Sequence, residues 1–190
     1  MYTRILGFAA VAACLAMPVS AAVALGDAAG SYSISPASSS IRFSIDKVGG
    51  GLNGAFARFK GSIRIDNSDV GRSQVNFTIF PESVGTGQGR IDAFLRSDAV
   101  FDAAKNPEIQ FRSTSVTRTS DTTALVSGRL TARGKTFPEK FTAELGGLKA
   151  GTIKFHVTGK VLRSRYGMDV GTPIYSNIVD FDMTLTGKRG

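Results

Sequence analysis

Apolar and polar residues alternate with period two along most of the chain, the signature of half-buried β-strands. In Ile41-Arg42-Phe43-Ser44-Ile45-Asp46 the apolar residues share one face and the polar ones the other. Ser62-Ile63-Arg64-Ile65-Asp66, Val75-Asn76-Phe77-Thr78-Ile79 and Ile109-Gln110-Phe111-Arg112 repeat the texture, as do Lys154-Phe155-His156-Val157-Thr158 and Val179-Asp180-Phe181-Asp182-Met183-Thr184-Leu185. Ala124 to Thr131 and Lys140 to Leu145 fit two further strands. One wet face per strand points to antiparallel pairing. Gly49-Gly50-Gly51, Asp66-Asn67-Ser68-Asp69, Ser120-Asp121 and Gly146-Gly147 supply turns. About eight strands result, the number at which a closed barrel is either filled by side chains or holds one small ligand. One segment departs from the rhythm: between residues 90 and 97, Ile91, Phe94 and Leu95 fall at i, i+3 and i+4. That spacing predicts a short amphipathic helix covering one open end of an all-β barrel.

The first residues follow a different logic. Arg4 precedes an apolar run from Ile5 to Met17, Pro18 ends the run, and Val19-Ser20-Ala21 and Ala22-Val23-Ala24 follow. A positive start, an apolar run and small residues at alternate positions describe a secretory leader. The run is shorter than the ~20 residues a membrane-spanning helix requires. The chain thus divides into a leader, 1–24, and one domain, 25–190, destined for the periplasm and without a stable transmembrane anchor. Val11-Ala12-Ala13-Cys14 resembles a lipoprotein box, a minor alternative because the apolar run continues past Cys14. Ordinary cleavage leaves no cysteine, so packing alone must hold the domain together. The formal net charge is +8. No basic run exceeds two residues, so a solvated basic surface accounts for the surplus.

The chemistry the chain lacks narrows its function. Its single histidine, His156, lies on the polar face of a predicted strand, where it cannot serve a buried Ser-His-Asp triad. Three or four clustered metal ligands are needed for zinc, and none cluster. Asp92, Asp98 and Asp102 are explained by helix and turn chemistry. Gly85-Thr86-Gly87-Gln88-Gly89 lacks the Lys-Ser/Thr ending of a phosphate loop and any parallel βαβ context. Nucleic-acid binding needs exposed aromatics among basic residues, whereas the aromatics here belong to the inward set. The sequence therefore predicts no catalytic residues, no metal and no cofactor.

What remains is an excess of phenylalanine, thirteen residues with no tryptophan. Phe43, Phe59, Phe77, Phe111, Phe155 and Phe181 come from different strands and stand on the apolar face of each. They either fill a barrel or line a tunnel.

A series of short motifs runs in order through the domain. It includes Tyr32-Ser33-Ile34-Ser35-Pro36, Gly54-Ala55-Phe56-Ala57-Arg58-Phe59-Lys60-Gly61, and Leu95-Arg96-Ser97 with Val100-Phe101-Asp102. Pro107-Glu108-Ile109-Gln110-Phe111-Arg112-Ser113-Thr114, Gly128-Arg129-Leu130-Thr131 and Arg163-Ser164-Arg165-Tyr166-Gly167 complete it. The series resembles the YceI-like family, exported lipocalin-like barrels that bind polyisoprenoid lipids. Where the family commonly has Arg-Asp-x-His, this chain has Ile91-Asp92-Ala93-Phe94, two polar positions turned apolar. The resemblance implies an isoprenoid lipid or quinone-like amphiphile as ligand, held in an apolar tunnel lined by Phe43, Phe59, Phe77, Phe94, Leu95, Phe101, Phe111, Phe155 and Phe181. Ile91, Phe94 and Leu95 are expected to close one end. Arg163, Arg165 or Tyr166 is expected to meet a polar head group near the other. A homodimer is a further expectation, suggested only by what some relatives of this fold do. The competing expectation is a filled barrel that docks anionic envelope partners through its basic surface.

Overall fold

The structure, a computed structural model, describes residues 23–190. The expected leader, 1–24, lies outside the described residues except for Val23 and Ala24, and Cys14 lies outside them altogether. Eleven strands form one antiparallel sheet: β1 (Gly30–Ile34), β2 (Ser40–Lys47), β3 (Gly50–Phe56), β4 (Phe59–Ile65), β5 (Gln74–Ile79), β6 (Val84–Gly85), β7 (Ile109–Arg118), β8 (Thr123–Ala132), β9 (Lys135–Lys149), β10 (Thr152–Leu162) and β11 (Ile178–Arg189). Among the described residues one α-helix, α1 (Gly89–Arg96), lies between β6 and β7.

Eight of the strands close a ring in the order β1-β4-β5-β7-β8-β9-β10-β11, with β11 pairing back to β1. The sheet carries an extension, β2-β3-β6, that pairs with β11 through β2. The eight strands expected from alternation are therefore present, but the ring closes through β1 rather than β2. The reason lies at Pro36. Proline lacks an N–H for the ladder, and a 3-10 turn at Pro36–Ser38 splits one long strand into two. Both pieces lie along β11, β1 opposite Gly187–Arg189 and β2 opposite Asp180–Thr184. In the gap Ser39 Oγ accepts the Thr186 N–H at 2.9 Å. Strand β3 escaped the periodic pattern because Gly50-Gly51-Leu52-Asn53-Gly54 offers one large apolar side chain in five positions.

Inward positions alternate with outward ones, as in Ile153, Phe155 and Val157 of β10, which are buried while the residues between them are exposed; in β7 a register shift between Ser113 and Ser115 changes the phase, so that Phe111 and Val116 are both buried. The core is consequently the barrel interior. Tight turns hold the ladders together. At the β8–β9 turn Arg133 and Gly134 both have positive φ, 49° and 70°, the backbone of a two-residue hairpin that matches strand twist.

The two ends are closed by different means. At one end a 3-10 turn, Leu25–Ala28, lies across the opening with Leu25 and Ala28 buried. The Leu25 N–H donates to the Asp121 carbonyl at 2.8 Å, and the Tyr32 hydroxyl donates to the Ala28 carbonyl at 2.9 Å. At the other end stand α1, the segment 97–108 and the loop 163–177. No helix among the described residues is long and apolar enough to cross a membrane.

Candidate functional site

The barrel encloses a cavity of about 180 Å³ that exposes an apolar surface, although Ser73, Arg163 and Tyr166 are among the residues around it. Leu25 bounds it at one end, and Leu95, Val100, Phe101 and Met168 bound it at the other. Between them a belt of aromatic side chains runs around the wall. Phe43 of β2 is in register with Phe181 of β11, and Phe77 of β5 with Phe111 of β7. Phe111 and Phe141 meet edge to face at 5.2 Å between centroids, and Phe141 meets Phe181 at 6.3 Å. Phe43, Phe56 and Phe101 continue the chain of contacts at 5.4 and 5.8 Å.

Four of these rings lie over glycines of a neighbouring strand. Phe43 covers Gly54, Phe77 covers Gly61, Phe111 covers Gly128 and Phe141 covers Gly159. Three of the pairs are direct cross-strand partners, and Phe111 reaches Gly128 diagonally. At each glycine an added Cβ would fall within 3.0 Å of ring carbons. None of the four has a positive φ, so backbone conformation does not demand glycine there. A strand-interior glycine destabilises by roughly 0.5–1 kcal/mol relative to alanine. What it provides here is room for a ring to lie along the wall instead of standing into the lumen, an arrangement known to compensate strand glycines.

Phe43, Phe77, Leu95, Phe101, Phe111, Phe155, Phe181, Arg163 and Tyr166, all singled out from the sequence, line the cavity. Two others do not. Phe59 is buried in the wall beside Ile79 but is not among the lining residues. Phe94 is 47% exposed, on the outer side of α1, because the helix presents Leu95 and the half-buried Ile91 to the barrel instead. Sequence reasoning missed Phe56 and Phe141. Alternation in Lys140-Phe141-Thr142-Ala143 carried the signal for Phe141, within a strand already recognised.

The residues expected to meet a head group lie at the same end as α1, not opposite it. Arg133 shows this directly, donating to the Asp98 and Val100 carbonyls beyond α1 and to the Gly167 carbonyl, all at 2.7–2.9 Å. Arg163 is buried, and its guanidinium donates to the carbonyls of Met168, Val170, Tyr175 and Ser176 and to Thr172 Oγ1. Five bonds occupy all five of its donors, so Arg163 folds the loop 163–177 around itself and has none left for a ligand. Burial lowers its pKa, opposed by Asp169. Tyr166 is fully buried and donates to Glu139 Oε1 at 3.0 Å. Burial, reinforced by that bond, pushes its phenol pKa well up. Of the three, Arg165 alone is exposed.

Nothing else described resembles a reactive centre. Among the described residues no three His, Cys, Asp or Glu side chains gather to hold a metal ion. His156 lies half-exposed on the outer face, 3.3 Å from Asp182. Asp92 closes the Gly85–Gly89 loop by accepting from Thr86 N–H and Oγ1 at 2.7 and 2.6 Å.

The sequence and the fold resemble those of known proteins. The family model described as a YceI-like domain matches residues 32–187. A UPF0312 protein of Serratia proteamaculans is 32% identical over 158 residues, 78% of this chain and 80% of that one. Protein YceI of Escherichia coli O157:H7 is 31% identical over 158 residues, 78% and 81% of the two chains. The crystal structure of BcnA from Burkholderia cenocepacia superposes with a TM-score of 0.76 at 20% identity, covering 80% of this chain and 98% of the other. A domain of Saccharophagus degradans described as polyisoprenoid-binding, implicated in plant cell wall breakdown, superposes at 0.67 with 18% identity, covering 84% and 98%. The last two share the fold. With the closed barrel, helix α1 and the match over residues 32–187 together, the chain belongs to the YceI-like family.

Proposed function

We propose that this protein is an exported, non-enzymatic carrier or store for an isoprenoid lipid of polyprenyl or quinone type, whose tail occupies the barrel cavity. The observation that carries the reading is the apolar surface that the cavity exposes. A dry, apolar hole of roughly 150 Å³ in a protein already takes benzene, and this cavity is of that order or larger. It is smaller than the ~300–1,000 Å³ that encloses a drug-sized ligand. It therefore takes the leading isoprene units of a chain rather than a whole long lipid. Each buried CH₂ contributes about 0.8 kcal/mol, so one isoprene unit contributes roughly 3 kcal/mol before ordering costs. No polar anchor is required for such binding. None faces the lumen, which leaves the head group outside the wall, at the end where Arg165 is exposed. The leader read at residues 1–24 fits a role in the periplasm, and the YceI-like membership and the Saccharophagus domain described as polyisoprenoid-binding support the ligand class.

Mature protein purified from its own envelope without detergent, then extracted and examined by mass spectrometry, tests the reading. A stoichiometric isoprenoid species is the expected result. Folded protein free of lipid, and unable to take up added farnesol, overturns it.

A further inference from the structure

The glycines beneath the aromatic belt are positioned to control what the cavity admits. We propose that Gly54, Gly61, Gly128 and Gly159 set its calibre, and with it the selection of branched over unbranched apolar chains. The inference rests on the lipid-tail reading of the cavity and adds to it the residues that decide which tail fits.

The argument begins with the sheet. A strand interior disfavours glycine, and in a strand glycine marks either a bend or a close approach by another group. None of the four has a positive φ, and at Gly54, Gly61 and Gly159 a phenylalanine is the direct cross-strand partner; at Gly128 the β7–β8 register shifts between Ser113 and Ser115, and the Arg112 carbonyl crowds the Cβ position together with the Phe111 ring. The close approach is by a phenylalanine each time. All four phenylalanines line the cavity. Four independent pairs, on different strands and at comparable depth in the barrel, use the same device.

The consequence is geometric. The space a Cβ would need is already filled by the ring, and interiors packed to crystal density offer no slack elsewhere in the wall. At Gly159 the Lys140 carbonyl also stands 3.1 Å from the Cβ position, so the backbone there is itself crowded and the Phe141 ring is the group that must yield. The direction open to it is the lumen. Phe141 sits at the junction of the aromatic belt, touching both Phe111 and Phe181. Its displacement would therefore narrow the cavity at mid-height. An isoprenoid carries a methyl branch every four backbone carbons and is thicker than a straight alkyl chain. Rings laid flat favour the thicker chain, and rings standing upright admit only the thinner one.

The test uses the mature protein, with N-phenyl-1-naphthylamine as fluorescent occupant and farnesol or 1-pentadecanol as competitor. Xenon uptake, followed by ¹²⁹Xe magnetic resonance, reports cavity space without any chain ligand. Gly159→Ala is expected to lower xenon uptake and to weaken farnesol by at least about tenfold, with less than about a threefold effect on 1-pentadecanol. Adding Phe141→Leu to it should restore both. Should Gly159→Ala not fold, Phe141→Leu alone carries the test and is expected to raise xenon uptake and strengthen farnesol. Folded Gly159→Ala protein with unchanged xenon uptake and farnesol competition overturns the calibre inference while leaving the lipid reading standing. Unchanged behaviour of Phe141→Leu overturns it as well. Wild-type protein that takes up xenon but neither alcohol overturns the lipid reading instead, and selection between chains falls with it.

Discussion

The two ends of this barrel are both closed, yet by opposite kinds of chemistry. At one end Leu25, Ala28 and Tyr32 form an apolar plug supplied by the stretch of chain leading into β1. At the other, long irregular segments are held by two arginines whose partners are almost all backbone carbonyls. An apolar plug gains its stability from burial and is part of the core. Loops tied by side-chain hydrogen bonds at the surface bury little apolar area and open locally at smaller cost than core strands do. The difference teaches where a ligand would pass: the arginine-tied end is the one that can move without dismantling the barrel.

The largest effect is expected at Arg163. Arg163→Met removes the group around which the loop 163–177 is folded and leaves its buried carbonyls without donors, destabilising the protein by about 3 kcal/mol in urea unfolding. A loss below about 1 kcal/mol would mean that the loop holds itself. Leu25→Ala at the plugged end should lower stability by about 2–3 kcal/mol, as buried leucine truncations do, with farnesol release unchanged in rate. Faster release from this variant would move the doorway to the plugged end. Arg133→Ala, which cuts the tie between the segment after α1 and Gly167, should cost only about 1–2 kcal/mol but accelerate release several-fold, measured by stopped-flow competition. Equal release rates in Arg133→Ala and Leu25→Ala would erase the distinction between the ends.

The smallest effect concerns Asp92, which fastens α1 to the loop before it. The side-chain bond from Thr86, then the bond from the Thr86 N–H, hold its carboxyl below the usual aspartate pKa. A depressed folded pKa contributes stability that is present above the unfolded value, near ~3.9, and is lost as pH falls through the folded one. The Tm difference between wild type and Asp92→Asn should therefore be largest near neutrality and shrink on acidification below the ordinary aspartate range. A difference that grows towards low pH would reverse the sign and detach Asp92 from this role.

Much of this architecture was legible in the chain. Alternation located eight strands and, within them, the inward face on which Phe43, Phe77, Phe111, Phe155 and Phe181 stand. The i, i+3, i+4 spacing located α1, with Leu95 against the barrel. It overreached at Phe94, because a helix of two turns buries a narrow stripe and a periodic pattern does not say where the stripe ends. Arg163 was legible as a conspicuous charge near the end of a strand, but not as a buried one. Whether a guanidinium meets solvent or carbonyls depends on how a fifteen-residue loop wraps, and no local pattern encodes that.

Sequence alone determined the class of fold and the apolar character of the interior, because each follows from residue type and spacing over a few positions. Tertiary structure decided the rest. That β1 rather than β2 closes the ring, that both arginine-tied segments share one end, and that four rings rest on four glycines all depend on register between strands. Register is set by pairings between residues far apart in the chain, where side chains must share one space, and that space exists only once the barrel has closed.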